Sequence, residues 1–227
     1  MSTAAAALSG PLEEGIRTLG LSLSDAQQGQ LLDFLALLQK WNKVYNLTSV
    51  RDPQEMLTHH LLDSLAAVAP LQRHLAQRPA GQGGARLLDV GSGGGLPGVV
   101  FAICCPELDV SCVDTVAKKA AFIQQSAATL RLPHLHGVHA RVEHLSGPFD
   151  VVSCRAFASL VDFATWSAAA LAPQGVWLAM KGKHPADELA AMPPGVSVFH
   201  VEPLSVPGLE AERCIVWMRP ATVAAPR

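Results

Sequence analysis

The chain has 227 residues, which is the size of one large domain or of one domain with a short appendage. Hydrophobic residues make up 49% and charged residues 16% of it. This composition supplies enough apolar side chain for a sizeable core and excludes an intrinsically disordered chain. The formal net charge of −2 argues, taken alone, against a nucleic-acid-binding protein, because such proteins usually carry a basic excess.

The charge is unevenly distributed along the chain. Residues 1–39 carry −3, residues 40–86 carry +3, residues 87–184 are neutral and residues 185–227 carry −2. The basic excess is therefore local and directly precedes the most glycine-rich stretch. Such a patch is compatible with a brief contact with RNA at one base, whereas tight binding along a long backbone would need many more cations.

The cysteines and the N-terminal residues indicate a cytoplasmic protein. The five cysteines include no C-x-x-C pair, which argues against a zinc knuckle and favours reduced thiols. The segment Met1–Gly10 is rich in alanine and lacks the features of a signal peptide, and we expect it to be a frayed tail. The apolar run Val99–Cys105 is far shorter than a membrane span, so no membrane association is expected.

The first third of the chain is predicted to be helical. Leu31–Leu38 has helical spacing with Ser24 as a plausible N-cap, and Pro53–Val68 forms a second helical stretch. Between them, residues 41–53 are expected to form a polar connector. The Pro/Gly-rich residues 79–85 mark a boundary, which predicts a helical N-terminal region at 1–80 and a second domain at 81–227.

After Arg86 short apolar strands alternate with helical segments. Helices are predicted at VVFAICC, VAKKAAFIQQSAATLRL and SLVDFATWSAAALAP, and strands at LLDV, DVSCVD, HGVHA, FDVVSC, GVWLAMKG, VSVFHV and CIVWMR. This order predicts an α/β fold with a doubly wound, mainly parallel sheet of seven strands. The last two strands are expected to form an antiparallel pair at the sheet edge.

A glycine loop, Gly91-Ser-Gly-Gly-Gly-Leu-Pro-Gly98, follows the first of these strands. A strand that leads through glycines into a helix is the layout of a nucleotide-binding turn, since glycine tolerates positive φ and close approach to a ligand. The spacing of Gly93, Gly95 and Gly98 formally fits a dinucleotide fingerprint, which alone is a weak signal. Asp89, two residues before the loop, favours S-adenosylmethionine (SAM) instead, because SAM carries positive charge that a carboxylate can balance. Alternatively, the carboxylate of Asp89 accepts hydrogen bonds from the loop amides.

A second acid, Asp114, ends the next strand. At this position a carboxylate can accept hydrogen bonds from both ribose hydroxyls of an adenosyl group, in NAD as in SAM. The alternative is an N-cap of the helix that starts near Val116. The combination makes a chance glycine run improbable. An NAD-linked dehydrogenase is the weaker interpretation, because the sequence, with Tyr45 as its one tyrosine, has no Tyr-x-x-x-Lys pair.

Three blocks of sequence resemble the GidB family (glucose-inhibited division protein B), the bacterial 16S rRNA guanine-N7 methyltransferases of the small subunit. The blocks are Trp41–Thr48 with His60–Ser64, Leu88–Gly98, and Ser153–Ser159 with Lys181-Gly182 after it. The resemblance implies a Rossmann-like class I SAM-dependent methyltransferase domain behind a small helical extension. It implies methylation of N7 of guanine 527, with 16S rRNA or a small-subunit particle as the partner.

The resemblance also implies a set of SAM contacts, to which the loop analysis adds Asp89, Gly93 and Gly95. The contacts that it implies fall on Gly91, Leu96, Asp114, Val142, Glu143 and Arg155. Open α/β sheets bind ligands at the carboxyl ends of their strands, where Arg155 and Lys181 are predicted to lie. We expect both to act at the catalytic site, while Arg155 could instead pair with Asp114 or Asp150, and Lys181 could be a solvated strand terminus.

The remaining candidates are weaker. Guanine N7 carries a free lone pair and needs no general base, so none has to be found; Cys154 lacks a Pro-Cys setting and is expected to be a buried thiol. The spacing of the four histidines between His134 and His144 does not converge on one face, so no metal is expected. Trp41 and Tyr45 are expected to be mainly structural, and Lys43 and Arg51 partly to contact RNA.

Nothing in the sequence requires more than a monomer. Two other functions remain open: a SAM methyltransferase with another substrate, and a non-catalytic regulator that binds SAM or RNA.

Overall fold

The computed structural model describes residues 3–79 and 83–221. Its N-terminal part is helical. It comprises α1 (Thr3–Thr18), α2 (Asp25–Tyr45), α3 (Pro53–Met56), a π-helix (Leu57–Leu62), α4 (Asp63–Leu65) and α5 (Val68–Leu75).

The rest of the described chain alternates strands and helices. Its strands are β1 (Arg86–Val90), β2 (Asp109–Asp114), β3 (Leu135–His139), β4 (Phe149–Arg155), β5 (Leu171–Lys181), β6 (Val196–Leu204) and β7 (Arg213–Pro220). Its α-helices are α6 (Gly98–Cys104), α7 (Ala117–Leu130), α8 (Leu160–Ser167) and α9 (Ala186–Ala190), with 3₁₀ turns at Val142–His144 and Ala168–Ala170.

The seven strands form one sheet in the order β3-β2-β1-β4-β5-β7-β6. The first five strands of the chain pair in parallel, whereas β7 runs antiparallel to both β5 and β6. The predicted doubly wound α/β sheet with an antiparallel pair at its edge is confirmed. Because the chain winds from β1 through β2 to β3 on one side and from β4 to β5 on the other, the carboxyl ends of β1 and β4 border a crevice for a ligand.

Three predicted boundaries are wrong. The helix predicted at residues 159–173 is too long, because α8 ends at Ser167 and β5 begins at Leu171. Residues 3–10 are not a frayed tail but the first turns of α1, because Leu8 and Leu12 are buried in the core. The connector does not begin at Trp41, since α2 continues to Tyr45 and stops only where Asn46 adopts a left-handed φ of 49°. The predicted N-cap Ser24 is confirmed, and it forms a capping box with Gln27.

Hydrophobic clusters cover both faces of the sheet. Successive residues of β4 point to opposite faces, so Val151 belongs to one cluster and Val152 to the other. The first cluster also holds Leu12, Phe34 and Leu61 from the N-terminal helices. The division into two domains near residue 80 stays a prediction. One apolar cluster contains residues from both sides of that position. Among the described residues, no helix combines the length and apolar character that crossing a membrane requires.

Candidate active site

The glycine loop begins where β1 ends in the middle of the sheet. Gly91 and Gly93 have φ values of +64° and +56°, which favour glycine. The amide of Gly91 donates to the carbonyl of Val113 at 2.9 Å, so the loop is tied to the end of β2. A Cβ on Gly91 would lie 2.3 Å from Cδ2 of Phe157. This position therefore admits only glycine, and the backbone of Gly91 is partly exposed to the crevice without a side chain in between.

Asp89 holds the loop from inside the protein. Its carboxylate is fully buried and accepts from the amide of Gly98 at 3.0 Å and from Oγ of Ser153 at 2.9 Å. Burial raises the pKa of Asp89 to about 7, against the opposing effect of these two hydrogen bonds. Asp89 lines neither of the two cavities at the carboxyl edge of the sheet. Its geometry matches the loop-bonding role and not a direct charge contact with a cofactor.

Asp114 lies at the end of β2 and reaches the crevice. Its carboxylate accepts from the amide of Gly93 at 3.1 Å and from that of Val116 at 2.9 Å, and Nζ of Lys119 is 3.5 Å away. Asp114 is not the N-cap of α7, which is Val116, but it bonds the amide of that residue and also lines a cavity.

Two cavities lie along the carboxyl edge of the sheet and share Gly91 and Ala156 in their walls. The larger has a volume of about 640 Å³ and the smaller about 340 Å³. Ala156 has a φ of +51°, an uncommon value for a residue with a side chain. The two residues at the junction are therefore both held in left-handed backbone conformations.

The smaller cavity combines polar groups with aromatic surface. Val142, Glu143 and Asp114, for which the resemblance implies contacts with SAM, all line it. Phe157 and Trp166, which sequence analysis did not single out, also line it, and their rings meet edge to face at 6.0 Å. Both rings are partly exposed, at 36% and 40%. This lining offers apolar surface to a flat ring and a carboxylate to hydroxyl groups.

Arg155 ends β4 and lines the larger cavity. Its Nη1 donates to Oδ2 of Asp63 at 2.6 Å and to the carbonyl of His59 at 2.8 Å. The other oxygen of Asp63 accepts from Nε of Arg213 at 2.8 Å.

Neither acid proposed from sequence as the partner of Arg155 contacts it. Asp114 bonds the loop, and Asp150 pairs with Arg78 at 3.1 Å and accepts from the amide of Arg86. Asp150 lies near the start of β4, whereas Arg155 is its last residue, so the two stand at opposite ends of the strand.

Lys181 also lines the larger cavity but is held by an ion pair. Its Nζ contacts both carboxylate oxygens of Glu188, at 2.8 and 3.0 Å, and donates to the carbonyl of Ala158 at 3.0 Å. Glu188 accepts in addition from the amide of Leu160, the first residue of α8. Lys181 is therefore a partly buried, paired cation and not a solvated strand terminus.

The third wall of the larger cavity comes from the segment after α2. The side chain of Asn42 bonds the backbone of Thr48 and Val50, which folds this segment back toward the π-helix. There Oγ1 of Thr48 and Nε2 of His60 are 2.8 Å apart. Burial, and then the charge of Arg155, lower the pKa of His60 to about 4, so its ring is neutral near pH 7. Within the described chain, Nδ1 of His60 is buried without a hydrogen-bond partner.

The other residues proposed from the sequence lie partly in the cavity walls and partly elsewhere. Gly93 and Leu96 line the larger cavity, whereas Gly95 lines neither and packs against Val99. Trp41 lies 5.4 Å from the ring of Phe122 in α7 and so joins the helices to the sheet, as expected. The described residues contain no group of three or more side chains that could hold a metal ion.

Besides Phe157 and Trp166, sequence reasoning missed two charged residues of the larger cavity. Asp63 stands inside a quoted block but carried no assigned role, and Arg213 lies beyond the last block. Asp63 is separated in sequence by 92 residues from Arg155 and by 150 from Arg213, and a local sequence pattern cannot predict contacts over such separations.

The strand order, the glycine loop and the carboxylate at the end of β2 define a class I SAM-dependent methyltransferase. Solved structures of the same fold include a SAM-dependent methyltransferase from Aquifex aeolicus, with a TM-score of 0.53 at 13% identity over 81% of this chain and 97% of that one. TrmN from Thermus thermophilus is similar with a TM-score of 0.51 at 20% identity, over 73% of this chain and 53% of that one. At these identities the likeness concerns the fold.

The chain belongs to the rRNA small subunit methyltransferase G (GidB) family, whose model matches residues 27–216. A ribosomal RNA small subunit methyltransferase G from Acidovorax sp. (strain JS42) is 79% identical over 92% of this chain and 94% of the relative. Another, from Polaromonas sp. (strain JS666), is 67% identical over 94% of each chain. The resemblance seen in the three sequence blocks is confirmed.

Proposed function

We propose that this chain transfers a methyl group from SAM to N7 of guanine 527 of 16S rRNA, acting as a cytoplasmic monomer on the rRNA or on a small-subunit particle. The names of its close relatives support a substrate in small-subunit rRNA. The observation that carries the proposal is the pair of cavities that meet at Gly91 and Ala156. The smaller cavity suits an adenosyl group, and the larger cavity has cationic walls that suit a nucleotide. A methyl donor and a nucleotide would therefore meet where the two cavities join.

The residues present fit SAM. Gly91 and Gly93 have positive φ and no side chain, and a Cβ on Gly91 would collide with Phe157, which lines the smaller cavity. Asp114 is placed to accept from ribose hydroxyls, and Phe157 and Trp166 offer ring surface to adenine. Together the cavities are of the size usual for a small-molecule site, which is about 300–1,000 Å³. Bound SAM would supply a methyl carbon made electrophilic by the adjacent sulfonium.

N7 of guanine needs no help from a base, because its lone pair is free in neutral solution. The lone pair forms the new N–C bond as the S–C bond breaks, and no proton is moved. The protein's part is to align the two reactants and to exclude water, which can contribute about 7–11 kcal/mol in favourable cases. A neutral His60 and an ion-paired Lys181 lie in the cavity wall, and the reaction requires neither of them to move a proton.

Methyl transfer from tritiated SAM to unmethylated small subunits, and to protein-free 16S rRNA, tests the proposal. Nucleoside mass spectrometry would identify 7-methylguanosine, and chain cleavage at the modified base would map it. We expect the label at guanine 527. Label at another base or atom would contradict the assignment, and SAM binding without transfer to either RNA would favour a non-catalytic regulator.

A matched pair of glycine variants links the activity to the loop. Gly91→Ala places a methyl group 2.3 Å from Phe157 at a strained φ, so SAM affinity and transfer are expected to fall at least about tenfold. Gly29→Ala adds the same methyl group on α2, where nothing lies within 4 Å, and should leave both unchanged. Calorimetric titration with SAM measures the first quantity. Equal affinity in the two variants would show that the loop is not the cofactor site.

A further inference from the structure

The carboxylate of Asp63 joins two guanidinium groups that come from opposite parts of the chain. Arg155 stands at the end of β4 and Arg213 at the start of β7, and Asp63 accepts from both at 2.6 and 2.8 Å. Its side chain is only 4% exposed, whereas those of Arg155 and Arg213 are 19% and 24% exposed. All three residues line the larger cavity. A buried acid therefore fixes two cations whose outer parts face the cavity.

The charges of this cluster do not cancel. Two guanidinium groups share one carboxylate, and one positive charge is left over. Lys181 is balanced by Glu188, and His60 is neutral near pH 7 because its pKa is about 4. The two arginines, Lys181 and their carboxylate partners Asp63 and Glu188 thus sum to one positive charge, which a single phosphodiester would neutralise.

Both arginines keep hydrogen-bond donors free. Arg155 bonds Asp63 and the carbonyl of His59 through Nη1 alone. Arg213 uses Nε toward Asp63 and Nη1 toward the carbonyl of Glu212. Over the described residues, Nη2 of each guanidinium has no hydrogen-bond partner. Pairs of N–H donors in fixed positions are the geometry that binds phosphate oxygens.

The place of Arg213 in the sheet separates it from the cofactor. Because β7 is antiparallel to β5, Cys214 pairs with Lys181 and the start of β7 lies at the carboxyl edge. From β1 to β7 there are three strand steps, which at about 4.8 Å each amount to roughly 14 Å. The backbone of Arg213 thus lies on the side of the larger cavity away from the glycine loop, where the substrate of a methyl transfer has to enter, and its guanidinium reaches back toward Asp63 and Arg155.

We propose that Arg213 and Arg155 form a phosphate-binding fork, held in place by Asp63, that binds one backbone phosphate of the RNA next to the target guanosine. This inference rests on the proposed function. Arg213 is an RNA-binding residue of the site, and Asp63 is a positioning residue that acts through the two guanidinium groups. A fork of this kind fixes the register of the RNA strand without reading its sequence.

The salt dependence of RNA binding tests the fork, with Arg213→Gln compared with Arg219→Gln. Arg219 lies near the other end of β7, is exposed and stacks on Phe199, so its removal makes the same charge change away from the cavity. We expect Arg213→Gln to weaken binding to the RNA that the wild type methylates by about tenfold and to lower the slope of log K against log salt by about 0.7–0.9. SAM affinity should stay within about twofold. Arg219→Gln should change none of these quantities.

Two conservative variants distinguish phosphate binding from a purely structural role of these residues. Arg213→Lys keeps the charge and loses the fork, so the salt slope should be retained while RNA affinity falls. Asp63→Asn frees both arginines, and a lower kcat/KM for RNA with unchanged SAM affinity is expected. Thermal unfolding and circular dichroism check the fold of each variant. If Arg213→Gln does not fold, a photocrosslinking amino acid at the adjacent exposed Glu212 should still label the rRNA, and one at Arg219 should not.

Three results would overturn the fork. In the first, folded Arg213→Gln has the same slope of log K against log salt for RNA binding as the wild type. In the second, Arg213→Gln loses affinity for SAM and not for RNA. In the third, the photocrosslinking residue at position 212 does not label the rRNA. Each differs from a failure of the proposed function, in which the wild type itself would neither bind nor methylate rRNA.

Discussion

Single buried polar groups determine the shape of the site. Asp89 is the clearest case, because its carboxylate joins the first residue of α6 to Ser153 on β4 with no exposure to solvent. An ionised carboxylate in such a place is costly unless its hydrogen bonds compensate, and here they do so only in part, since its pKa is about 7. The residue that closes the glycine loop therefore couples the loop to pH.

The stability of the fold should fall with rising pH through this group. The ordinary pKa of an aspartate is 3.8 and that of Asp89 is about 7 in the folded protein, so between these values the folded state holds a proton that the unfolded state has lost. By linkage the free energy of unfolding then decreases as pH rises, by at most about 4 kcal/mol in total, and levels off above about pH 7.

Asp89→Asn tests this coupling because it removes the titration and can keep both hydrogen bonds. Urea unfolding of the two proteins between pH 4 and about 8 should show wild type losing stability relative to Asp89→Asn as pH rises. His60, with its lowered pKa, acts in the opposite direction but is present in both proteins, so the difference isolates Asp89. A constant difference across this pH range would contradict the raised pKa.

Local residue patterns predicted the parts of the site that depend on local backbone. Gly91 and Gly93 adopt the positive φ that the glycine loop implied, and Asp114 lies at the end of β2 and lines the smaller cavity. The partner of Arg155 could not be predicted in this way. Its acid, Asp63, is 92 residues away and approaches only because the N-terminal helices fold over the strand ends.

At the scale of elements, periodicity located the helices and strands but not all of their ends. The alanine-rich start of α1 gave a weak pattern, and its helical structure depends on burial of Leu8 and Leu12 against other helices. The end of α2 depends on Asn46, whose left-handed conformation stops the helix after Tyr45. Ser24 was recognisable because a capping box is a local signal.

Ser24→Ala should destabilise the protein by about 1 kcal/mol, because the side chain of Ser24 accepts from the amide of Gln27 and the alanine leaves that donor unsatisfied. Ser24→Asp keeps an acceptor and places a negative charge at the helix N-terminus, so its stability should be close to that of the wild type. Chemical denaturation compares the three proteins. Unchanged stability of Ser24→Ala would show that the cap contributes nothing.

For the molecule as a whole, the N-terminal helices and the sheet share one apolar core. Phe34 of α2 and Phe122 of α7 have ring centroids 6.2 Å apart, and both are fully buried. Asp63, on α4, also completes the wall of the larger cavity. The helical region therefore contributes to both the core and the site, and the division at residue 80 that composition suggested should not be a boundary between independently folding units.

Phe34→Ala should consequently destabilise the entire molecule and not the helices alone. Loss of a fully buried phenylalanine costs about 3–5 kcal/mol, which lowers Tm by about 10 °C in a chain of this size. Fluorine NMR of 5-fluorotryptophan protein can follow Trp41 in α2 and Trp217 in β7 separately during unfolding. Both signals should shift to the same lower midpoint, while Val44→Ala, at a residue that is 71% exposed on the same helix, should leave both midpoints almost unchanged. A lower midpoint for Trp41 with an unchanged one for Trp217 would show that the helices unfold as a separate domain.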